Sequence, residues 1–328
     1  MTQTNPFAAD PLVPSAAPRP LPALPGHLVA VALSMSVIAI LLSMIGWWRS
    51  DLENDFSVWL SYVAPYWVNH LLMAGLGVYW LTSAYLERHR LAGYRQPARL
   101  LVSYGVVYLL LSWGLGFVSG QLYMWLYELL DDQHSGRLLT SLGWSVIGLL
   151  SFCLEVLVPL WLLLQLFRRS AEVTDGDLQL AGTSLAWCFA LAIMVGYLQV
   201  MGLALELMDG AFYGFELESW AGVINLLHGG VYMLVAFFAA RSALPEQVRG
   251  FRGGRLALAA LITLSLWIAG ALLCALIMLV LLLVVGVSDL LLLLLFGLVQ
   301  LALLWPFSRL GLRWGYRAQG AVQVPSHG

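Results

Sequence analysis

The chain contains no lysine, only three cysteines and only 10% charged residues. Soluble domains carry about 25% charged residues, so the composition excludes an ordinary soluble enzyme. The cysteines, Cys153, Cys188 and Cys274, all sit in apolar runs, with no CxxC pair. That excludes a disulfide framework and a thiolate metal site. The formal net charge is −2, which argues against nucleic acid as a partner. No P-loop, HExxH or GxSxG motif occurs, so the familiar phosphate-binding, zinc-protease and hydrolase signatures are missing. The connections between apolar runs are too short to hold a soluble domain. No enzyme activity and no cofactor are expected.

What is present is hydrophobic sequence. Hydrophobic residues make up 61% of the chain and mean hydropathy is +0.84. The apolar stretches cover, approximately, residues 27–48, 59–86, 100–127, 138–167, 180–208, 220–241, 256–286 and 289–312. Each exceeds the ~17 residues needed to cross the hydrocarbon of a bilayer. The runs are continuous and lack a period of two, which excludes a transmembrane barrel. The expected fold is an all-α polytopic bundle of eight transmembrane helices. Seven of the thirteen prolines fall before residue 26. Residues 1–26 therefore read as a disordered cytoplasmic leader, and 318–328 as a short tail.

The charges orient the spans. Arginine supplies all sixteen basic residues, and fourteen fall on one side of the membrane: in the leader, in connections 87–99, 168–179 and 241–255, and at the C-terminal end. The alternate connections carry Asp51, Glu53 and Asp55, then Asp131 and Asp132, then Asp209, Glu216 and Glu218, then Asp289. Arginine-rich loops stay in the cytoplasm, so both termini are expected there, in a bacterial inner membrane. The arginine clusters are expected to meet anionic lipids.

Short matches hint at an internal duplication. Gly77-Val-Tyr79, Gly93-Tyr-Arg95 and Leu111-Ser-Trp113 are echoed in order by Gly230-Val-Tyr232, Gly250-Phe-Arg252 and Ser265-Leu-Trp267. Four spans return the chain to the same side. The repeat would therefore be a parallel 4+4 arrangement, with halves 27–170 and 180–317 and a site between them. Ser112, Gly116 and Gly120 form a small-residue stripe expected to let another helix pack closely.

Ionisable groups deep in hydrocarbon are costly and mark functional candidates. Glu155, His70 and His228 lie well inside their runs. Helical spacing puts Tyr66 on the face of His70, and Asn225 on the face of His228. Gln199 adds a polar group in the fifth span, with Glu206 two turns further on. Pro159 should kink the helix one turn after Glu155. The expected function is a small-solute or ion permease with a polar midplane site formed by these groups. The alternative is a non-transport membrane protein: an assembly factor, a toxin-immunity protein or a partner scaffold. Glu155, His70 and His228 would suit a metal chemically, but nothing in their spacing brings them together, so no metal site is assigned.

Overall fold

The computed structural model describes residues 19–20, 23–50, 64–130, 136–174, 178–208, 221–285 and 289–316. The acidic connections and the C-terminal tail lie mainly outside these. Helices dominate: α1 (Leu24–Ser50), α2 (Ala64–His89), α3 (Pro97–Leu130) and α4 (Gly136–Phe152). Next come a π-helical turn (Cys153–Leu157) and α5 (Val158–Leu166), which continue α4 into one rod. α6 (Gly182–Met208), α7 (Ala221–Ala243), α8 (Gly253–Val285) and α9 (Asp289–Gly315) complete the bundle.

Seven helical stretches among the described residues are long and apolar enough to cross a membrane. The chain is therefore a multi-pass, all-α membrane bundle. The helix outside that set is α2, which is long enough at 26 residues. Its apolar run is diluted by Tyr66, Trp67, Asn69, His70, Tyr79 and Trp80. The least apolar helix is thus one that carries candidate site residues.

Two buried clusters form the core. One is built from residues between Leu24 and Leu164, around Tyr104, Tyr108, Leu86 and Leu160. The other is built from residues between Leu180 and Tyr316, around Phe189, Tyr197, Tyr232 and Trp267. In the first, α1 packs on α2 and α3, and the α4–α5 rod packs on α3 and α2. In the second, α6 packs on α7 and α8, and α9 packs on α8 and α7. Between the clusters, α6 touches α2 and α4.

Short strands tie the helix ends. β1 (Arg19–Pro20) pairs in parallel with β4 (Leu178–Ala181), which pairs antiparallel with β5 (Gln247–Arg249). β2 (Leu91–Tyr94) pairs antiparallel with β3 (Ala171–Val173). Arg19–Pro20 and the first turn of α1 belong to the stretch read as leader, so its last residues are built into the fold. Residues 1–18 lie outside the described set.

Arg90 ends α2 with a φ of 51°, in the left-handed region. Its strain is offset by backbone bonds on both sides. Its N–H donates to Glu87, and its carbonyl accepts from Thr174 at 2.9 Å. Pro97 then opens α3, where a proline's missing N–H costs nothing.

The small-residue stripe is the clearest departure from the sequence expectation. A Cβ placed at Gly116 or Gly120 would meet nothing within 4 Å among the described residues, and neighbouring Trp113 is 84% exposed. Among the described residues no helix covers this part of α3. The stripe was expected to pack because it is small, but smallness permits close approach without selecting a face. Gly116→Leu is accordingly expected to leave folded yield and melting temperature unchanged in a detergent thermal-shift assay. A drop of several degrees would show that another helix covers it.

Close approach occurs instead between α8 and α9. A Cβ at Gly311 would strike the Thr263 hydroxyl and come within 2.6 Å of the Ala259 carbonyl; one at Gly315 would strike the Ala259 backbone at 2.5 Å. Gly311 and Gly315 thus face Ala259 and Thr263, small residues four apart on both helices. This is the geometry that permits backbone contact in a bilayer.

Candidate functional site

Pro159 determines the local shape around Glu155. Its ring excludes the carbonyl four residues back, and it has no N–H to offer that carbonyl. Four residues back is Glu155 itself. The helix responds by widening: Val158 N–H donates to Cys153, five residues earlier, closing a π turn over Cys153–Leu157. Such turns concentrate at functional sites because they alter the direction of a side chain without ending the helix. The sequence predicts a kink next to Glu155; what the structure shows there is this π turn.

Glu155 is half-buried. Its carboxyl interacts electrostatically with His70 and Tyr66 of α2 and with Tyr104 and Tyr108 of α3. Tyr108 joins a hydrogen-bonded chain. Its hydroxyl lies 2.6 Å from Ser36 Oγ of α1 and 3.3 Å from His70 Nε2. Tyr104 donates to the Val156 carbonyl at 3.4 Å, fixing α3 against the π turn. Phe152 sets its ring edge against His70, with centroids 6.0 Å apart. Four helical segments thus converge on one polar cluster inside an apolar bundle. Tyr66 stands at its edge, 63% exposed. The Asn69 Oδ1 atom, one residue from His70, is buried without a hydrogen-bond partner among the described residues. A buried unpaired carbonyl oxygen costs about 1–3 kcal/mol unless water or a ligand satisfies it.

The remaining candidates lie elsewhere. His228 belongs to the second cluster, where its ring meets Tyr232 (centroids 5.2 Å apart) and Tyr197 (6.0 Å). Tyr197 stacks on Tyr232 at 4.6 Å, and Trp267 sets its edge against both. Asn225 sits one turn before His228, its Oδ1 buried and unpartnered among the described residues. Gln199 is exposed and donates to the Met73 sulfur at 3.4 Å, from α6 to α2. Glu155, His70 and Tyr66 are therefore brought within electrostatic reach of one another, while His228 meets Tyr197 and Tyr232 of the second cluster instead. Glu206 lies in α6, but its side chain is outside the described set. Among the described residues no group of three or more His, Cys, Asp or Glu side chains is placed to hold a metal.

Sequence reasoning passed over several polar groups. Ser36, Tyr104 and Tyr108 are common residue types in membrane helices, and nothing in their spacing singles them out. Gln300 of α9 is 1% exposed, with neither amide atom hydrogen-bonded among the described residues. An uncharged polar residue in an apolar run was the only signal it offered.

A second feature lies between the two clusters. A cleft of about 710 Å³ is lined mainly by apolar side chains of α1, α2 and α6, among them Val29, Leu33, Leu76, Trp187 and Leu191. Neither Glu155, His70 nor His228 lines it. Apolar walls suit acyl chains or a neighbouring helix rather than an ion.

No family model matches the chain, and no curated protein or solved structure matches it either.

Proposed function

We propose that the protein is a proton- or small-cation-handling permease whose site lies in its first half. The observation that carries this reading is the Glu155 carboxyl on a π turn, within electrostatic reach of His70 and of the Tyr108–Ser36 chain. A carboxyl, an imidazole and a phenol in sequence are the parts of an intramembrane proton relay. They are also oxygen and nitrogen ligands for a small cation. Packing alone requires none of them, since each costs desolvation that an apolar side chain would avoid.

The reading extends to topology. Eight spans with both termini in the cytoplasm accord with the arginine distribution. A parallel repeat accords with the packing, because corresponding helix pairs meet in the two clusters. Buried positions also recur along α2 and α7: Val78, Thr82, Tyr85 and Leu86 against Tyr232, Ala236, Ala239 and Ala240. That register is displaced by one residue from the Gly-Val-Tyr match, and Trp267 is 5% exposed where Trp113 is open. On this register His228 stands where the first half has Ala74, one turn beyond His70. Among the described residues only the first half then holds a carboxyl–imidazole pair. Single cysteines at positions 53, 131, 216 and 288 are expected to react with a membrane-impermeant thiol reagent in intact cells. Reaction at 93 or 250 instead would invert the topology. A bacterial inner membrane and the absence of enzyme activity belong to the same proposal.

Transport itself is tested with purified protein in liposomes containing a trapped pH-sensitive dye, under an inward proton gradient with the membrane potential clamped. Protein-containing vesicles are expected to acidify faster than empty ones. Equal rates would overturn the proton reading. They would favour the second reading, a non-transport scaffold, whose specific support is the uncovered small-residue stripe on α3.

A further inference from the structure

A second cleft, of about 660 Å³ and lined in part by arginines, opens where α7 and α9 end. It is lined by Ser242, Leu244, Pro245, Arg309, Arg313 and Tyr316, among others. Arg309 and Arg313 are four residues apart, so their guanidiniums share one face of α9. Both are exposed. No acidic side chain lines the cleft, and neither arginine has an ion-pair partner among the described residues. Tyr316 closes the back, within electrostatic reach of Arg252, Glu87 and Arg255.

We propose that this cleft binds the phosphate headgroup of an anionic phospholipid. Two guanidiniums on one helix face, without a counter-charge among the described residues, match phosphate oxygens in charge and hydrogen-bond geometry. The cleft lies at the ends of two apolar helices, the depth at which headgroups sit. The apolar surface below it selects a lipid over a free phosphate. Phe238 and Leu234 continue the Ser242 face of α7 and are 56% and 46% exposed. Trp305 and Leu298 continue the Arg309 face of α9 and are likewise exposed. A headgroup held by the arginines would lay its acyl chains along these two tracks. This inference rests on the membrane setting alone and stands apart from the transport reading.

Native mass spectrometry of the detergent-purified full chain tests it. Phosphatidylglycerol is expected to be retained in preference to phosphatidylcholine. Arg309→Gln and Arg313→Gln should each weaken its retention about fivefold, and the double variant roughly thirtyfold. The double lysine variant should keep most of the binding. Millimolar inorganic phosphate should not displace the lipid. Equal retention of the two lipids by the wild type would overturn the proposal. So would undiminished retention by the glutamine variants, or full displacement by inorganic phosphate, which would make the site one for free phosphate.

Discussion

Vesicles carrying Glu155→Gln are expected to acidify at the rate of empty vesicles, at least tenfold below the wild-type increment. Glutamine keeps the length of the side chain and its capacity for hydrogen bonds. It removes the one group in the cluster able to hold a negative charge and exchange a proton at that position. The π turn does not depend on the side chain, since it follows from Pro159 and the Val158–Cys153 backbone bond. Folding and membrane insertion should therefore survive, and the protein should elute and melt as the wild type does. Tyr108→Phe provides the graded companion. The ring stays in its packed position, while the hydroxyl that lies 2.6 Å from Ser36 and 3.3 Å from His70 is lost. His70 is left beside the carboxyl, so flux should fall severalfold without vanishing. Wild-type rates in Glu155→Gln at equal abundance would reduce Glu155 to a structural residue.

The largest effect on stability is expected at Gly311. Any side chain there meets the Thr263 hydroxyl and the Ala259 carbonyl. A backbone carbonyl cannot rotate away as a side chain can. Thr263 is fixed as well, its hydroxyl donating to Ala259 at 2.9 Å. Gly311→Leu must therefore push α8 and α9 apart, and that contact also seats Leu304, Leu312 and Trp267 in the second cluster. Overpacking of this kind costs about 1–3 kcal/mol and more where the backbone must move. The expected result is a melting temperature lower by roughly 5 °C or more, or loss of folded protein. A Gly311→Leu protein as stable as Gly116→Leu would show that the two helices can separate at little cost.

The contrast between Gly116 and Gly311 shows where the sequence stops being informative. Helix positions were legible because long apolar runs are bounded by charge. The run read as 289–312 is the helix Asp289–Gly315, and the run read as 138–167 is the α4–α5 rod ending at Leu166. The rotation of each helix was not legible. α8 is apolar on every side, so nothing marks the face that meets α9. The strands were hidden for another reason. Leu91–Tyr94 pairs with Ala171–Val173 from the far side of two helices, and three or four residues carry no pattern of their own. Within the site, Glu155, His70 and Tyr66 stood out because ionisable and polar groups are rare in such runs. The association of Glu155 with His70, and the separation of both from His228, depend on how two groups of helices are assembled. That is a tertiary property.

The central claim is that the Glu155 carboxyl is the working group of an intramembrane proton or cation site. A hydrophobic carbodiimide tests it in the wild-type protein, because the reagent partitions into the bilayer and forms a stable acylurea on a carboxyl it finds there. Peptide mapping measures the adduct, and dye-loaded vesicles from the same sample measure acidification. The expected result is an adduct at Glu155 whose occupancy rises in step with the loss of flux. Near-complete modification of Glu155 with undiminished flux would contradict the account.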